Sequence, residues 1–138
     1  MQRAKIVSTG SFLPSKVLTN EDLSCIVDTS NEWIMDRTGI SERRIADPDK
    51  AVSDLAYEAS KRALKDAGMK ASELSLIIVA TITGDMPLPA TACLLQKRLN
   101  AKNASAFDIN AACSGFIYAL SIADAFIKSG MHKNILVV

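Results

Sequence analysis

Residues 104–116, Ala-Ser-Ala-Phe-Asp-Ile-Asn-Ala-Ala-Cys-Ser-Gly-Phe, decide the fold, because they predict a short strand, a tight turn and the start of a helix. The helix is expected to continue to about Ser129, and its sequence is apolar apart mainly from Ser121, Asp124 and Lys128. A helix on a protein surface normally carries a polar face about half its circumference wide. We therefore expect this helix to be largely buried.

Cys113 is the most reactive side chain of this stretch, and it lies where the predicted helix begins. Backbone N–H groups in the first turn have no partner within the helix, and the positive end of the helix dipole favours a thiolate. The same N–H groups are able to hold an oxyanion. The alternative is an unreactive core residue, since free cysteine is among the most buried residue types. Position alone leaves both interpretations open.

Predicted strands and helices alternate along the rest of the chain, which indicates an α/β fold with a mostly parallel sheet. Ligands of such sheets bind beyond the carboxyl ends of the strands. Cys113 and the loop 84–89 both follow such ends, so both are expected at the functional edge. The predicted strands are 4–9, 76–80, 104–109 and 135–138, and the helices between them are 53–67, capped by Ser53, and 90–99.

The segment 19–45 carries a second group of candidate functional residues. A first helix is expected from Thr19 to about Val27, and Thr29 with Glu32 predicts the capping box of a second. Trp33 and Arg37 are four residues apart and therefore share one face of that second helix. They are interpreted either as a structural cation–π pair or as an aromatic ring and a cation at the mouth of a pocket for adenine and phosphates. The basic pair Arg43–Arg44, within residues 40–45, is interpreted as a solvated segment.

Composition excludes several classes of protein. The chain has 138 residues, which is about one domain, with 49% hydrophobic and 22% charged residues and a net charge of +1. Interspersed charges of nearly equal number argue against a nucleic-acid partner, and no apolar run is long enough for a membrane span. The three cysteines, in no paired spacing, favour a reducing cytoplasmic compartment.

Two features predict that residues 1–138 are the N-terminal half-domain of a larger protein, or that the chain depends on association. A helix that is apolar nearly all round needs packing on both sides, and one sheet covers one side. The chain also ends within the apolar strand 135–138. A second half-domain would cover both surfaces.

The sequence resembles β-ketoacyl-acyl-carrier-protein synthase III, a family of thiolase-like condensing enzymes. The resemblance covers the whole chain and rests on ordered segments at consistent spacing. It implies a half-fold whose complete form is a five-layer α/β/α/β/α sandwich with a buried nucleophile helix. The matching segments are 10–14 (GSFLP), 29–34 (TSNEWI), 37–40 (RTGI) followed by Glu42 and Arg43, and 111–116 (AACSGF).

The resemblance implies a role for five residues. Cys113 would accept the acyl group of acetyl-CoA as a thioester, with its own N–H in the oxyanion hole. Thr29, Trp33 and Arg37 would contact coenzyme A. Leu88 stands where many members have a phenylalanine that floors the acyl pocket of the partner in a homodimer. A leucine there is expected to admit a longer or branched primer.

The function implied is that of a cytoplasmic condensing acyltransferase that starts type II fatty-acid synthesis. It would join the acyl group to malonyl-acyl-carrier protein with loss of CO2, and would need no metal or redox cofactor. The family's catalytic histidine and asparagine lie in the second half, so this chain alone is expected to be inactive, and the loop residue His132 is given no role. The alternatives are a thiolase or hydroxymethylglutaryl-CoA-synthase-type enzyme, and a non-catalytic fragment that acts as an interaction domain.

Overall fold

The computed structural model describes residues 3–138, which form two packing units. One unit is Leu13–Lys50, and the other is Ala51–Val138 together with the segment that ends at Phe12. Among residues 3–138, no helix is both long and apolar enough to cross a bilayer.

The 13–50 unit pairs two short strands that the sequence did not reveal. It contains β1 (Lys16–Thr19), α1 (Asn20–Ser24), α2 (Asn31–Thr38) and β2 (Glu42–Ile45), and the two strands pair antiparallel, with Lys16 opposite Ile45. The basic pair was predicted to be solvated, which holds for the exposed Arg44 but not for Arg43. The Arg43 guanidinium is half-buried and donates hydrogen bonds to Leu18 O at 3.2 Å and Asn20 Oδ1 at 2.7 Å. These partners satisfy a charge that the sequence alone assigned to solvent.

Asn20 is the buried polar centre of this unit. Its side chain donates to Asn31 Oδ1 at 3.0 Å and to Ile40 O at 2.8 Å, and its backbone N–H donates to Ser41 O. Buried polar groups are tolerated when their hydrogen bonds are made within the protein. Asn20 thereby connects α1, α2 and the start of β2.

Both helices of this unit have the type of N-cap that the sequence predicts, but the exact cap or end residue differs. Thr19 caps α1 as predicted, but α1 ends at Ser24 rather than near Val27. The cap of α2 is Ser30, whose Oγ accepts the Trp33 N–H at 3.2 Å, and not Thr29. Adjacent Thr and Ser satisfy the same cap preference, so the sequence cannot choose between them.

The pKa of the Asp22 carboxylate tests the capping box at the start of α1. Asp22 accepts from Thr19 N–H and Thr19 Oγ, and these bonds, the backbone one first, hold the pKa of Asp22 below its ordinary value of 3.8. A carboxylate whose pKa is lowered in the folded state stabilises that state at pH values above the ordinary pKa of 3.8. This stabilisation is lost as the pH falls below 3.8. Thr19→Ala is expected to raise the pKa of Asp22 in a carboxyl NMR titration. If the pKa of Asp22 in the unaltered chain were at or above 3.8, the capping box would be contradicted.

A parallel sheet of three strands organises the larger unit, in the order β4-β3-β5. Leu76 lies opposite Ser105 on one side and opposite Ile135 on the other. Residues 76–79 of the apolar run of β3 are buried between helix layers, as predicted, and Ala80 is half-buried. The elements are α3 (Val52–Asp66), β3 (Leu76–Ala80), α4 (Thr91–Leu99), β4 (Ser105–Ile109), α5 (Gly115–Lys128) and β5 (Ile135–Val137).

Two expectations for the larger unit are wrong. Residues 4–9 belong to no strand, because none of the described strands pairs with them. Ser53 lies inside α3 rather than at its cap, which is Ala51. The Asp54 side chain accepts the Ala51 N–H, while Ser53 donates from N–H and Oγ to Asp85 at 2.9 and 2.5 Å.

Helix α5 is buried on one face only, so the expectation of a largely buried helix is not met in this chain. Ala119 and Ala123 pack on β3, whereas Phe116, Ile117 and Tyr118 are half or more exposed. One sheet covers one side of the helix, which leaves the other apolar side in solvent.

Candidate active site

Cys113 lies in a 3-10 turn, Ala112–Ser114, between the carboxyl end of β4 and the start of α5. Its side chain is exposed, which removes the interpretation of Cys113 as a core thiol in this chain. The turn is closed by bonds from Ser114 N–H to Ala111 O at 3.0 Å and from Gly115 N–H to Ala112 O. Neither of these two bonds uses the Cys113 N–H.

The backbone around the cysteine is constrained on both sides. Ala112 has a φ of 44°, a left-handed conformation that costs a residue with a Cβ about 1–2 kcal/mol. Gly115 is buried, and a Cβ on it would lie 3.4 Å from the Cβ of Ala80. This close approach brings the start of α5 against the carboxyl end of β3. Strain and close packing together fix the direction in which the Cys113 side chain leaves the turn.

A network of carboxylates joins this edge of the sheet to two helix N-termini. Asp108 on β4 accepts from the N–H groups of Thr91 and Ala92, both at 2.7 Å. Thr91 Oγ1 accepts the Asp85 N–H at 3.2 Å, and Asp85 holds Ser53. Negative charge at helix N-termini satisfies N–H groups that have no partner within the helix. The loop between β3 and α4 is thereby held at both ends.

Sequence reasoning missed this network, although one signal was present. Asp108 places a charged residue in a mostly apolar strand, five residues before Cys113. An acidic residue in a strand covered by helices needs nearby donors. The loop that this network holds also carries Leu88, whose side chain is 85% exposed.

The Trp33–Arg37 pair forms on α2 in the 13–50 unit. The Arg37 guanidinium carbon lies 5.6 Å from the centre of the Trp33 ring, so the cation–π contact forms. The Trp33 side chain is nevertheless 58% exposed, which leaves part of the indole open. Thr29 Oγ1 is buried and has no hydrogen-bond partner among residues 3–138. A buried hydroxyl without a partner is a candidate contact for a ligand.

His132 and the other two cysteines take structural positions. The His132 ring meets Phe126 edge to face at 5.2 Å between ring centres. Cys93 is half-buried on α4, and Cys25 follows the last residue of α1 with its Sγ 3.5 Å from Glu21 O. Cys25 therefore lies at the carbonyl end of α1.

Alkylation compares the two exposed thiols directly. Cys113 is expected to react with iodoacetamide several-fold faster than Cys25 at neutral pH, because Cys113 lies at the N-terminal end of α5 while a carbonyl faces Cys25. Quantifying the two alkylated peptides by mass spectrometry over time gives both rates in one sample. Equal rates, or a faster Cys25, would show that the turn does not activate the thiol.

Comparison with known proteins gives one family. Residues 107–138 match the family model of 3-oxoacyl-[acyl-carrier-protein] synthase III. The β-ketoacyl-[acyl-carrier-protein] synthase III of Caldanaerobacter subterraneus is 62% identical over 135 residues, which are 98% of this chain and 41% of that protein. The chain therefore spans less than half the length of this relative.

Comparison with solved structures gives the same family. The crystal structure of 3-oxoacyl-[acyl-carrier-protein] synthase III from Aquifex aeolicus superposes with a TM-score of 0.92 at 59% identity, covering 96% of this chain and 43% of that one. The priming β-ketosynthase of the R1128 polyketide pathway gives 0.93 at 38% identity over 99% of this chain and 41% of its own. These superpositions confirm the thiolase-like α/β fold. The chain thus belongs to the β-ketoacyl-acyl-carrier-protein synthase III family and corresponds to the N-terminal part of its members.

Proposed function

We propose that this chain carries the nucleophile of a condensing acyltransferase that starts type II fatty-acid synthesis. The observation that supports this most directly is Cys113, an exposed thiol on a turn with a strained backbone, at the start of α5. An acyl thioester needs a nucleophile and an oxyanion donor, and this turn offers both.

In the first half-reaction, the Cys113 thiolate attacks the thioester carbonyl of acetyl-CoA. The carbonyl oxygen becomes an oxyanion that the Cys113 N–H stabilises. The carbon–sulfur bond to coenzyme A then breaks, coenzyme A leaves as a thiolate that takes up a proton, and the acetyl group stays on Cys113. This half-reaction needs no metal and no redox cofactor.

In the second half-reaction, malonyl-acyl-carrier protein loses CO2, and the electron pair of the broken bond forms an enolate. The enolate carbon attacks the acetyl carbonyl, Cys113 leaves as a thiolate, and 3-oxoacyl-acyl-carrier protein is released. An enolate needs donors at its oxygen. We assign these donors to the part of the protein that the relatives have beyond the length matched here, and we expect the chain alone not to condense.

Coenzyme A is proposed to bind through Thr29, Trp33 and Arg37. The open part of the Trp33 indole suits stacking with an adenine ring, and the Arg37 guanidinium suits a phosphate. The unpartnered Thr29 hydroxyl is proposed to accept or donate a bond to the nucleotide. The free thiols fit a cytoplasmic enzyme, and the exposed Leu88 fits a homodimer in which the loop reaches the partner.

A chimaera tests this function. Residues 1–138 replace the matching part of the Caldanaerobacter synthase, and the product of acetyl-CoA with malonyl-acyl-carrier protein is analysed by mass spectrometry. We expect 3-oxobutanoyl-acyl-carrier protein. A folded chimaera that makes none, while the parent enzyme does, would favour the non-catalytic alternative.

Leu88 is proposed to set primer choice in the same chimaera. Leu88→Phe is expected to lower kcat/KM for a branched or six-carbon acyl-CoA about tenfold relative to acetyl-CoA, because the larger ring fills space that the primer would occupy. Ile82→Ala, another exposed change in the same loop, is the control and is expected to leave the ratio unchanged. An unaltered ratio in Leu88→Phe would remove Leu88 from the acyl pocket.

A further inference from the structure

The loop between β3 and α4 has almost no packing to hold it. Among residues 82–89, all of which the structure describes, Asp85 is half-buried and all the others are exposed, Leu88 at 85%. Segments with little buried apolar surface shift at a low cost in free energy. The position of Leu88 in this chain therefore depends on the hydrogen bonds that the loop makes.

Asp85 ties the loop to the N-terminus of α3. Its Oδ1 accepts the Ser53 N–H at 2.9 Å, and its Oδ2 accepts the Ser53 hydroxyl at 2.5 Å. Ser53 is buried and is the second residue of α3, where a backbone N–H has no partner within the helix. Hydrogen bonds to a carboxylate are stronger than neutral ones, and the negative charge suits the positive end of the helix. The cap residue Ala51 has no side-chain acceptor, so the loop supplies a cap that α3 lacks.

A further bond closes the base of the loop. The Asp85 N–H donates to Thr91 Oγ1 at 3.2 Å, and the Thr91 N–H in turn donates to Asp108. A Cβ on Gly84 would lie 2.7 Å from Thr91 Oγ1, so the glycine leaves this hydroxyl the space that the bond requires. Residues 86–90 therefore leave the fold and return to it at one hydrogen-bonded point.

Leu88 is the middle of this closed segment. It is three residues from Asp85 and three from Thr91, a distance of at most about 11 Å along an extended chain. Pro87 and Pro89 flank it, and a proline ring fixes φ at about −65°. Few free torsions remain between the base of the segment and its tip. A shift of Asp85 is therefore passed on to Leu88.

We propose that Asp85 is a positioning residue for primer choice. Its two bonds to Ser53 hold the loop in one place and thereby fix where the Leu88 side chain stands at the floor of the acyl pocket. This inference rests on the role proposed above for Leu88, and it assigns Asp85 no contact with the reacting atoms. When the bonds to Ser53 are lost, the tip of the loop shifts, the floor loses its fixed depth, and longer primers are accepted.

The position of the loop is measured first, with a variant that leaves the loop sequence intact. Ser53→Ala in the chimaera removes the hydroxyl that Asp85 accepts, and amide exchange in a peptide covering residues 82–90 is expected to become at least about fivefold faster. Ser60→Ala is the matched control, because Ser60 is also buried on α3 but its Oγ donates to Ala56 O in the same helix. It is expected to leave the exchange unchanged. Equal exchange in the two folded variants overturns the proposal.

Primer choice is then compared in the same chimaera. Asp85→Ala is expected to raise kcat/KM for a ten-carbon acyl-CoA, relative to acetyl-CoA, at least about fivefold. Ser53→Ala is expected to act in the same direction, and it decides the question if Asp85→Ala does not fold. Asp85→Asn is expected to stay within about twofold of the parent, because its amide can accept the Ser53 N–H and donate to the Ser53 hydroxyl. An unchanged ratio in the folded alanine variants, or an equal rise in Asp85→Asn, overturns the proposal.

A double-mutant cycle separates the positioning of Leu88 from a general loosening of the chain. In a Leu88→Ala background the side chain that Asp85 positions is gone, so Asp85→Ala is expected to change the ratio less than about twofold. An effect of full size in both backgrounds overturns the proposal. A ratio that Leu88→Ala leaves unchanged would overturn the role of Leu88 and this proposal together. A ratio that Leu88→Ala changes and Asp85→Ala does not would overturn this proposal alone.

Discussion

Replacing Cys113 with alanine in the chimaera is expected to lower the rate of 3-oxoacyl-acyl-carrier-protein formation at least about a thousandfold. The thiol is the group to which the acyl bond forms, so its loss removes a covalent intermediate rather than one contact among many. The remaining turn keeps its backbone N–H, which has no acyl-enzyme to stabilise.

Cys25→Ala is the matched control, because Cys25 is also exposed and lies in the 13–50 unit. Its replacement is expected to leave the rate within a factor of two. A Cys113→Ala chimaera that retains a tenth or more of the parent rate would show that the acyl group is transferred without this thiol. The rate is followed by mass spectrometry of the carrier protein.

Replacing Ile77 with alanine is expected to destabilise the larger unit by about 3–4 kcal/mol. Ile77 is fully buried in the middle of β3, where it packs with Leu95 on α4 and Val79 in the same cluster. Truncation removes three carbons and leaves a cavity between layers that the sheet prevents from closing.

Urea unfolding followed by circular dichroism measures this loss. Ile82→Ala removes the same atoms from a side chain that is 64% exposed, and it is expected to cost less than about 0.5 kcal/mol. A loss below about 1 kcal/mol for Ile77→Ala would mean that β3 is not the centre of the packed core.

The strands and helices with a strong local sequence pattern could be predicted from the sequence. The apolar run of β3 and the amphipathic face of α3 fix burial by their periodicity. Gly39, Gly68 and Gly130 end their helices with φ values of 67°, 64° and 75°, which residues with a Cβ avoid. These signals depend on neighbouring residues only.

Elements that depend on distant partners could not be read. The pairing of β1 with β2 needs Arg43 to find Leu18 O and Asn20, which lie more than twenty positions earlier. Segment 4–9 shows the opposite error, since its apolar sequence favours a strand but no strand lies beside it. Pairing is a property of the neighbour as well as of the segment.

Some parts of the candidate site could also be predicted from the local sequence, and others could not. The turn at Cys113 and the Trp33–Arg37 pair follow from local spacing, and the sequence placed both. The contacts of Asp108 and Asp85 with the N-termini of α4 and α3 join four separate segments. Only the three-dimensional structure brings these carboxylates to the edge of the sheet that carries the cysteine.

The most direct test of the central claim is the site of acylation. The chimaera is incubated with acetyl-CoA alone, digested, and the peptides containing Cys25, Cys93 and Cys113 are weighed. We expect the mass of one acetyl group on the Cys113 peptide and none on the other two. An acetyl group on Cys25 or Cys93, or no acetyl group on a chimaera that still condenses, would contradict the assignment of Cys113 as the nucleophile.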